Sequence, residues 1–418
     1  MIHQDRRWRR RIVAGAVTVM ALTAAGCGSA SGSGGGSGST GGSTGGSASG
    51  DVIKIGNIGS YTSPQSPSYI GSVATLQAWE SYVNSHGGVN GHKIDLIIED
   101  DQGNAATAVT EVRQLIQQDH VVAIVGEDSY VDSAWAPIPE AAGIPVIGGG
   151  PYDPVMETNP DFFPSGTTAL PAGFGLMQLT KSIGSSVGLL YCAEAPICEQ
   201  SVPLYRSFGS AVGVQLKVAQ SVSASAPNYT AQCQALIDSK ASAIAINDAS
   251  EIAERIVDAC YTQGLRARLV QPGGIVTESW LKDPAAQNVL TVSFDAPYFD
   301  TSSSGVRSML ELLKNNNLGQ TPSGGAIFAY TGAQLFLAAA DAVQGSVTPD
   351  SLKSALYAMK GETLDGLTPP LTYTKGSGTS VLCYFVSTIK DSAWSVPSPA
   401  TGCAPQSVID TAKKQFES

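Results

Sequence analysis

From residue 52 onward, apolar runs of strand length alternate with longer stretches whose apolar residues recur at helical spacing, and the alternation occurs twice. Runs at 52–58, 94–98, 121–125 and 144–147 read as strands. Between the first two, Val73, Leu76, Trp79 and Val83 keep helical spacing. Asn104 stands where a helix needs a cap, ahead of an inner stripe of Ala105, Ala108, Val109, Val112, Leu115 and Ile116. The run 121–125 is uniformly apolar, as suits a parallel strand covered on both faces. The rhythm restarts with strands at 187–191, 214–218, 243–246 and 289–292, and helices around 200–211, 229–239 and 250–263. Two successive series of this kind predict an α/β fold of two doubly wound lobes with parallel sheets. After residue 300 the pattern changes to helices near 304–314, 327–343 and 350–359, then strand-like 371–373 and 381–387.

The stretch before residue 52 has a different character. Arg6, Arg7, Arg9, Arg10 and Arg11 form a cationic head, and residues 12–25 are almost wholly apolar. That run is shorter than the ~20 residues a bilayer-spanning helix requires, so 1–26 reads as a secretory signal peptide. Arg6-Arg7 leaves open whether export is twin-arginine or general. Residues 28–50 are only Gly, Ser, Thr and Ala, a composition that buries nothing and gives a coil spanning roughly 25 Å. Ala24-Ala25-Gly26-Cys27, between these segments, resembles the lipobox of bacterial lipoproteins, in which the cysteine is acylated and becomes the first mature residue. The resemblance implies a lipid anchor at Cys27 and a 27–50 tether holding an exported body at the outer face of the cytoplasmic membrane. An ordinary cleaved signal with a spare cysteine is the alternative.

The body from residue 51 is long enough for about two domains. The chain carries a net charge of −11, and five of its 24 Lys and Arg, against one of its 35 Asp and Glu, lie in the first fifty residues. The body is therefore more acidic than the whole, which argues against nucleic acid and against adhesion to anionic lipid by charge. Six cysteines follow Cys27, and an even number in an exported chain suggests disulfides. Pairing of sequence neighbours gives Cys192–Cys198, Cys233–Cys260 and Cys383–Cys403. The second is the doubtful one, because Cys233 falls early in one predicted helix and Cys260 late in the next, which parallel neighbours hold apart. His86, His92 and His120 are scattered and no CxxC occurs, so neither zinc nor another metal is expected, and nothing calls for a cofactor.

The segment 87–126, GGVNGHKIDLIIEDDQGNAATAVTEVRQLIQQDHVVAIVG, resembles the leucine/isoleucine/valine-binding branch of type I periplasmic binding proteins, the receptors of ABC importers. IKIGNIGSYTSP at 53–64, AAGIPVIGGGPYDP at 141–154 and DACYTQGL at 258–265 support the likeness. It implies two lobes joined by a three-crossover hinge, 51–168 with 300–372 and 169–299 with 373–418. It also implies a monomer that binds a small amino-acid-like or related polar solute in the interlobe cleft, near strand carboxyl ends. An ABC permease and ATPase complex would be the partner.

Site residues come from the resemblance position by position. Ser68 or Tyr69 matches the aromatic cleft residue of the first loop. Ser129 or Tyr130 stands where the family holds a ligand carboxylate with a serine. Gly148, Gly149, Gly150, Pro151 and Tyr152 occupy the place of backbone amides and a threonine that serve the same carboxylate. Exposed glycine amides there could cradle an anion; an ordinary glycine-rich turn is the other reading. In the second lobe, Asp248 lies nearest the position of a tyrosine, and Gly273 replaces the glutamate that meets the ligand ammonium. Asp248 either supplies that anion or caps the helix starting near Ser250. Glu194 is a further polar contact to be tested. Because Gly273 has no carboxylate, a branched-chain amino acid is disfavoured.

Several features read as structure. Glu99, Asp100 and Asp101 suit a turn and helix start, His92 an exposed turn, and Trp135 core packing. Gly184 to Gly188 matches GxSxG but leads into a strand, whereas a nucleophile elbow opens a helix. A receptor is therefore favoured over an enzyme, and a surface sensor using the same cleft remains the alternative.

Overall fold

A computed structural model of the chain describes residues 52–64, 66–69, 71–318 and 324–414, without the side chains of 67 and 68. The signal segment, Cys27 and the Gly/Ser-rich tract lie outside the described residues.

The first βα series forms a parallel sheet from β1 (Ile53–Gly59), β2 (Ile94–Asp100), β3 (Ile124–Glu127), β4 (Val146–Gly149) and β5 (Phe162–Phe163), in the order β2-β1-β3-β4-β5. The second forms β6 (Ser186–Cys192), β7 (Gln215–Val222), β8 (Ala243–Asn247), β9 (Arg268–Pro272) and β10 (Leu290–Ser293), ordered β7-β6-β8-β9-β10. The two orders are equivalent. Each sheet has its switch point beside its first strand, where open α/β sheets bind ligands. After a small hairpin of β11 (Lys360–Glu362) and β12 (Leu371–Thr372), the chain adds β13 (Cys383–Lys390), β14 (Ala393–Ser395) and β15 (Thr401–Cys403) to the second sheet. These three run antiparallel, so the second sheet is mixed, where sequence predicted a parallel one. The chain crosses between sheets after β5, after β10 and before β13.

Helices Ser72–Ser85 and Gly324–Asp341 pack together, and the second of these lies against β3 and β4, while Ala105–Gln117 packs on β1 and β2. The long helix is buried along most of its length and approaches the sheet through glycines. A Cβ on Gly148 would lie 2.3 Å from the Cα of Gly332. In the second lobe, Ala169–Ile183 and Pro196–Val212 pack together, and Thr230–Ser239 packs on Ser250–Thr262.

Asn104 caps as expected, its side chain accepting from the amides of Ala106 and Thr107 at 2.9 and 3.1 Å. Ala108, Val112 and Leu115 of the predicted stripe are buried, whereas Ala105 in the first turn is exposed. Strands β3 and β4 begin later than predicted. Pro145 has no amide to donate, so the β4 ladder starts at Val146. Helix Ala169–Ile183 escaped the sequence reading because Pro171, Gly173 and Gly175 look like breakers. Pro171 sits in the first turn, where its missing amide costs nothing. A side chain at Gly175 would press on the Tyr384 ring at 2.8 Å. Strand β9 was also missed, since it pairs only two buried aliphatics with arginine, glutamine and proline.

All three disulfides are present, with Cα separations of 5.5 Å for Cys192–Cys198, 4.8 Å for Cys233–Cys260 and 3.9 Å for Cys383–Cys403. The doubt over Cys233–Cys260 is thereby corrected. A long connection separates the end of β7 at Val222 from the helix at Thr230, whereas only Asp248 and Ala249 separate β8 from its helix. The first helix starts further down the sheet, and its amino end meets the carboxyl end of its neighbour.

Candidate functional site

A cavity of about 150 Å³ opens at the carboxyl ends of the strands of both sheets. Tyr130, Pro151, Tyr152 and Pro154 border it from the first sheet, Asn247 and Asp248 from the end of β8, and Phe294 from the end of β10. Leu176, Leu204 and Phe208 carry it inward between the helices Ala169–Ile183 and Pro196–Val212. The lining is mostly apolar. Among the described residues it contains no lysine, arginine or histidine, and Asp248 is its one carboxylate.

Aromatic rings form the first-lobe wall. Tyr130 stacks on Tyr152 with centroids 5.5 Å apart, and Tyr69 packs behind both at 5.0 and 6.1 Å. Phe294 and Phe328 meet the edges of Tyr152 at 5.6 and 5.9 Å. The Tyr152 hydroxyl is buried with no hydrogen-bond partner among the described residues. Burial pushes the phenols of Tyr69 and Tyr152 well above their ordinary range, so both are neutral.

Behind the wall lie the carboxyls of Glu127, Asp128, Asp132 and Asp101, all buried. Asp128 accepts from the hydroxyls of Ser72 and Tyr61. Asp101 accepts from the hydroxyls of Ser60 and Ser129 at 2.7 and 2.6 Å and from the Gly103 amide. Burial raises all four above the usual carboxylate range. Glu127 is pushed further by Asp132, and Asp132 by Asp153.

Of the sequence-derived residues, the structure brings Tyr130, Tyr152 and Asp248 to the cavity and sets Tyr69 behind the wall. The turn Ser66–Tyr69 holds Ser68, whose side chain lies outside those described. Ser129 is turned away: its hydroxyl donates to Asp101 and accepts from the Trp135 indole at 3.2 Å and the Val131 amide at 3.1 Å. The expected anion cradle is corrected as well. The Gly150 amide donates to the Glu127 carbonyl at 2.7 Å, and Gly149 is pressed so close to that residue that a Cβ would lie 2.3 Å from the same oxygen. Glu194 is exposed and accepts from Ser223 and the Ala224 amide, holding the turn after β7 rather than the cavity. Asp248 accepts from the amide of its neighbour Ala249 at 2.8 Å, not from the first turn of the helix, which has no side-chain cap. A Cβ on Gly273 would lie 2.0 Å from the Ser293 hydroxyl, so no glutamate fits there without rebuilding that contact.

Other expectations resolve as structure. Trp135 is fully buried and stacks on Phe162. Asp100 and Asp101 bind the loop before Asn104 instead of starting the helix, and His92 is half-buried instead of exposed. Ser186 of the GxSxG match begins β6, its hydroxyl 3.2 Å from that of Ser242. The sequence reading missed Tyr205, Phe208, Asn247 and Phe294. Tyr205 donates to Asn247 at 3.0 Å across the cavity floor, and the one available signal was Asn247 beside Asp248 at a strand end. Among the described residues no cluster of His, Cys, Asp and Glu could hold a metal ion, and no helix is long and apolar enough to cross a membrane.

A periodic arrangement of this kind, two equivalent sheets with a cavity at their facing strand ends, is matched by a family model, described as periplasmic binding protein, over residues 52–393. The chain belongs to that periplasmic binding protein family. Its solved neighbours share the fold at low identity. A branched-chain amino acid ABC transporter protein from Thermus thermophilus with bound valine is 15% identical, with a TM-score of 0.77 over 87% of this chain and 98% of that one. An ABC transporter substrate-binding protein from Aeropyrum pernix is 18% identical, with a TM-score of 0.76 over 85% and 97%. A solute-binding protein from Rhodopseudomonas palustris BisB5 in complex with 3,4-dihydroxybenzoic acid is 20% identical, with a TM-score of 0.68 over 81% and 93%. No curated protein matches the chain. Membership of a periplasmic binding protein family sets this chain outside the cytoplasm.

Proposed function

We propose that this chain is the solute-binding receptor of an ABC importer, holding one small molecule between Tyr130 and Tyr152 on one side and Asp248 on the other and passing it to a membrane permease with its ATPase. The observation that carries the reading is the cavity itself: it is apolar, it carries one buried carboxylate, and residues from both lobes border it. The neighbours that hold valine and 3,4-dihydroxybenzoate support a small solute without fixing its kind. Closure would bring together lobe 1, 51–168 with 300–372, and lobe 2, 169–299 with 373–418. At the cleft mouth, a Cβ on Gly324 of one side would lie 2.7 Å from the Gly274 Cα of the other, so the closed backbone contact depends on both glycines.

The receptor would be exported and held by an acyl chain on Cys27. Deleting the gene should abolish high-affinity uptake of one small solute that the purified protein binds one to one. Unchanged uptake of every solute that the protein binds overturns the reading. Cys27→Ser should release the exported protein from the membrane fraction; retention after a high-salt wash would count against the anchor.

A further inference from the structure

We infer that the cleft selects a protonated amine with an apolar body and no carboxylate, an inference that rests on the reading of the chain as a solute receptor. The groups that would receive a carboxylate are already engaged. The Ser129 hydroxyl is bound to Asp101, the Gly150 amide is bound to the Glu127 carbonyl, and among the described residues no cationic side chain borders the cavity. An anion placed in the cavity would lose its hydration and gain no countercharge.

A cation meets a carboxylate and aromatic rings. Asp248 is 6% exposed and borders the cavity, with one oxygen held by the Ala249 amide so that the carboxylate is fixed in direction. The stacked rings of Tyr130 and Tyr152 face the same space and favour a cation over an anion. The Tyr152 hydroxyl, buried without a partner among the described residues, gives a neutral contact to a polar hydrogen or lone pair. The apolar body goes between the two helices, where Ala169, Ala172 and Gly173 leave the room that Leu204 and Phe208 enclose. The site therefore discriminates by the substituents on the carbon that bears the amine, and not by the amine alone.

Isothermal titration calorimetry on the mature chain tests this with matched probes. Two amines, 2-phenylethylamine and 3-methylbutylamine, are compared with phenylalanine and leucine, which add only the carboxylate, and with 3-phenylpropanoate, which has no amine. At least one amine should bind about 30-fold or more tighter than its amino acid, with 3-phenylpropanoate weakest. Asp248→Asn should weaken that amine by about 30-fold or more with the melting temperature unchanged, which separates lost charge from lost folding. An amino acid or 3-phenylpropanoate that matches the amines overturns the inference, and so does the absence of amine binding. In either case the receptor reading stands if uptake of another solute still depends on the gene, and it falls separately if no solute does.

Discussion

At the carboxyl ends of the first sheet, Glu127, Asp128 and Asp132 are buried among hydroxyls, amides and one another; at the corresponding ends of the second, Asn247 and Asp248 border an apolar cavity. The strand orders are equivalent, so topology does not make this difference. The lobes differ in how each satisfies its loops. In the first, polar side chains bind their own backbone and leave an aromatic wall as the outward surface. In the second, all three disulfides tie the sheet and its helices, and the space between two helices stays open. Among the described residues the only salt bridge is Lys353–Asp161, so none of Asp101, Glu127, Asp128 and Asp132 is in a salt bridge. One lobe packs its carboxyls against hydroxyls and amides, and the other is tied by covalent links.

The sharpest way to break this comparison is to remove a link. Cys233→Ala with Cys260→Ala opens a loop of 27 residues in sequence separation and should cost the second lobe about 3–4 kcal/mol. Calorimetry should show an early transition for the second lobe with the first unmoved; one transition shifted as a unit would show that the lobes do not differ in this way. In the first lobe, Gly148→Ala should cost about 2–4 kcal/mol, because the methyl meets the Gly332 backbone at a positive φ of 64°. Gly376→Ala, at φ 73° with open space around it, isolates the backbone strain and should cost only about 1 kcal/mol in denaturant titrations.

The acids of the first lobe predict an inverted pH response. Burial holds Asp101, Glu127, Asp128 and Asp132 above their unfolded values, and burial together with the nearby Glu111 raises Glu99 to about 7. Between those two sets of values the folded chain binds more protons than the unfolded one. Stability is then fully present below the ordinary carboxylate range and is lost as pH rises through the raised values. The melting temperature should be higher at pH 5 than at pH 8, and Asp132→Asn should flatten the profile. A melting temperature that rises over that interval would falsify the raised values of these buried acids. The smallest effect expected is that of Asn104→Ala, about 1 kcal/mol by urea titration, from loss of one helix cap.

The repeated strand–helix rhythm, the cap at Asn104 and the neighbour pairing of six cysteines were legible because each depends on local spacing. Tyr130, Tyr152 and Asp248 were legible because a strand end is visible in sequence and its next residues face the cleft. Ser129 was equally well placed in the sequence, yet its hydroxyl goes to Asp101, a residue from the end of another strand. The glycine run at 148–150 showed the same limit, for whether an amide is free depends on the Glu127 carbonyl beside it.

The sequence by itself determined the alternating elements, the two lobes and the strand ends that border the cavity, since periodicity and short connections leave few other ways to bury the apolar faces. Only the tertiary structure decided which of those strand-end groups remain for a ligand. Hydrogen-bond capacity is finite, and partners far apart in the chain, such as Asp101 with Ser129 and Glu127 with Gly150, consume it before any solute arrives.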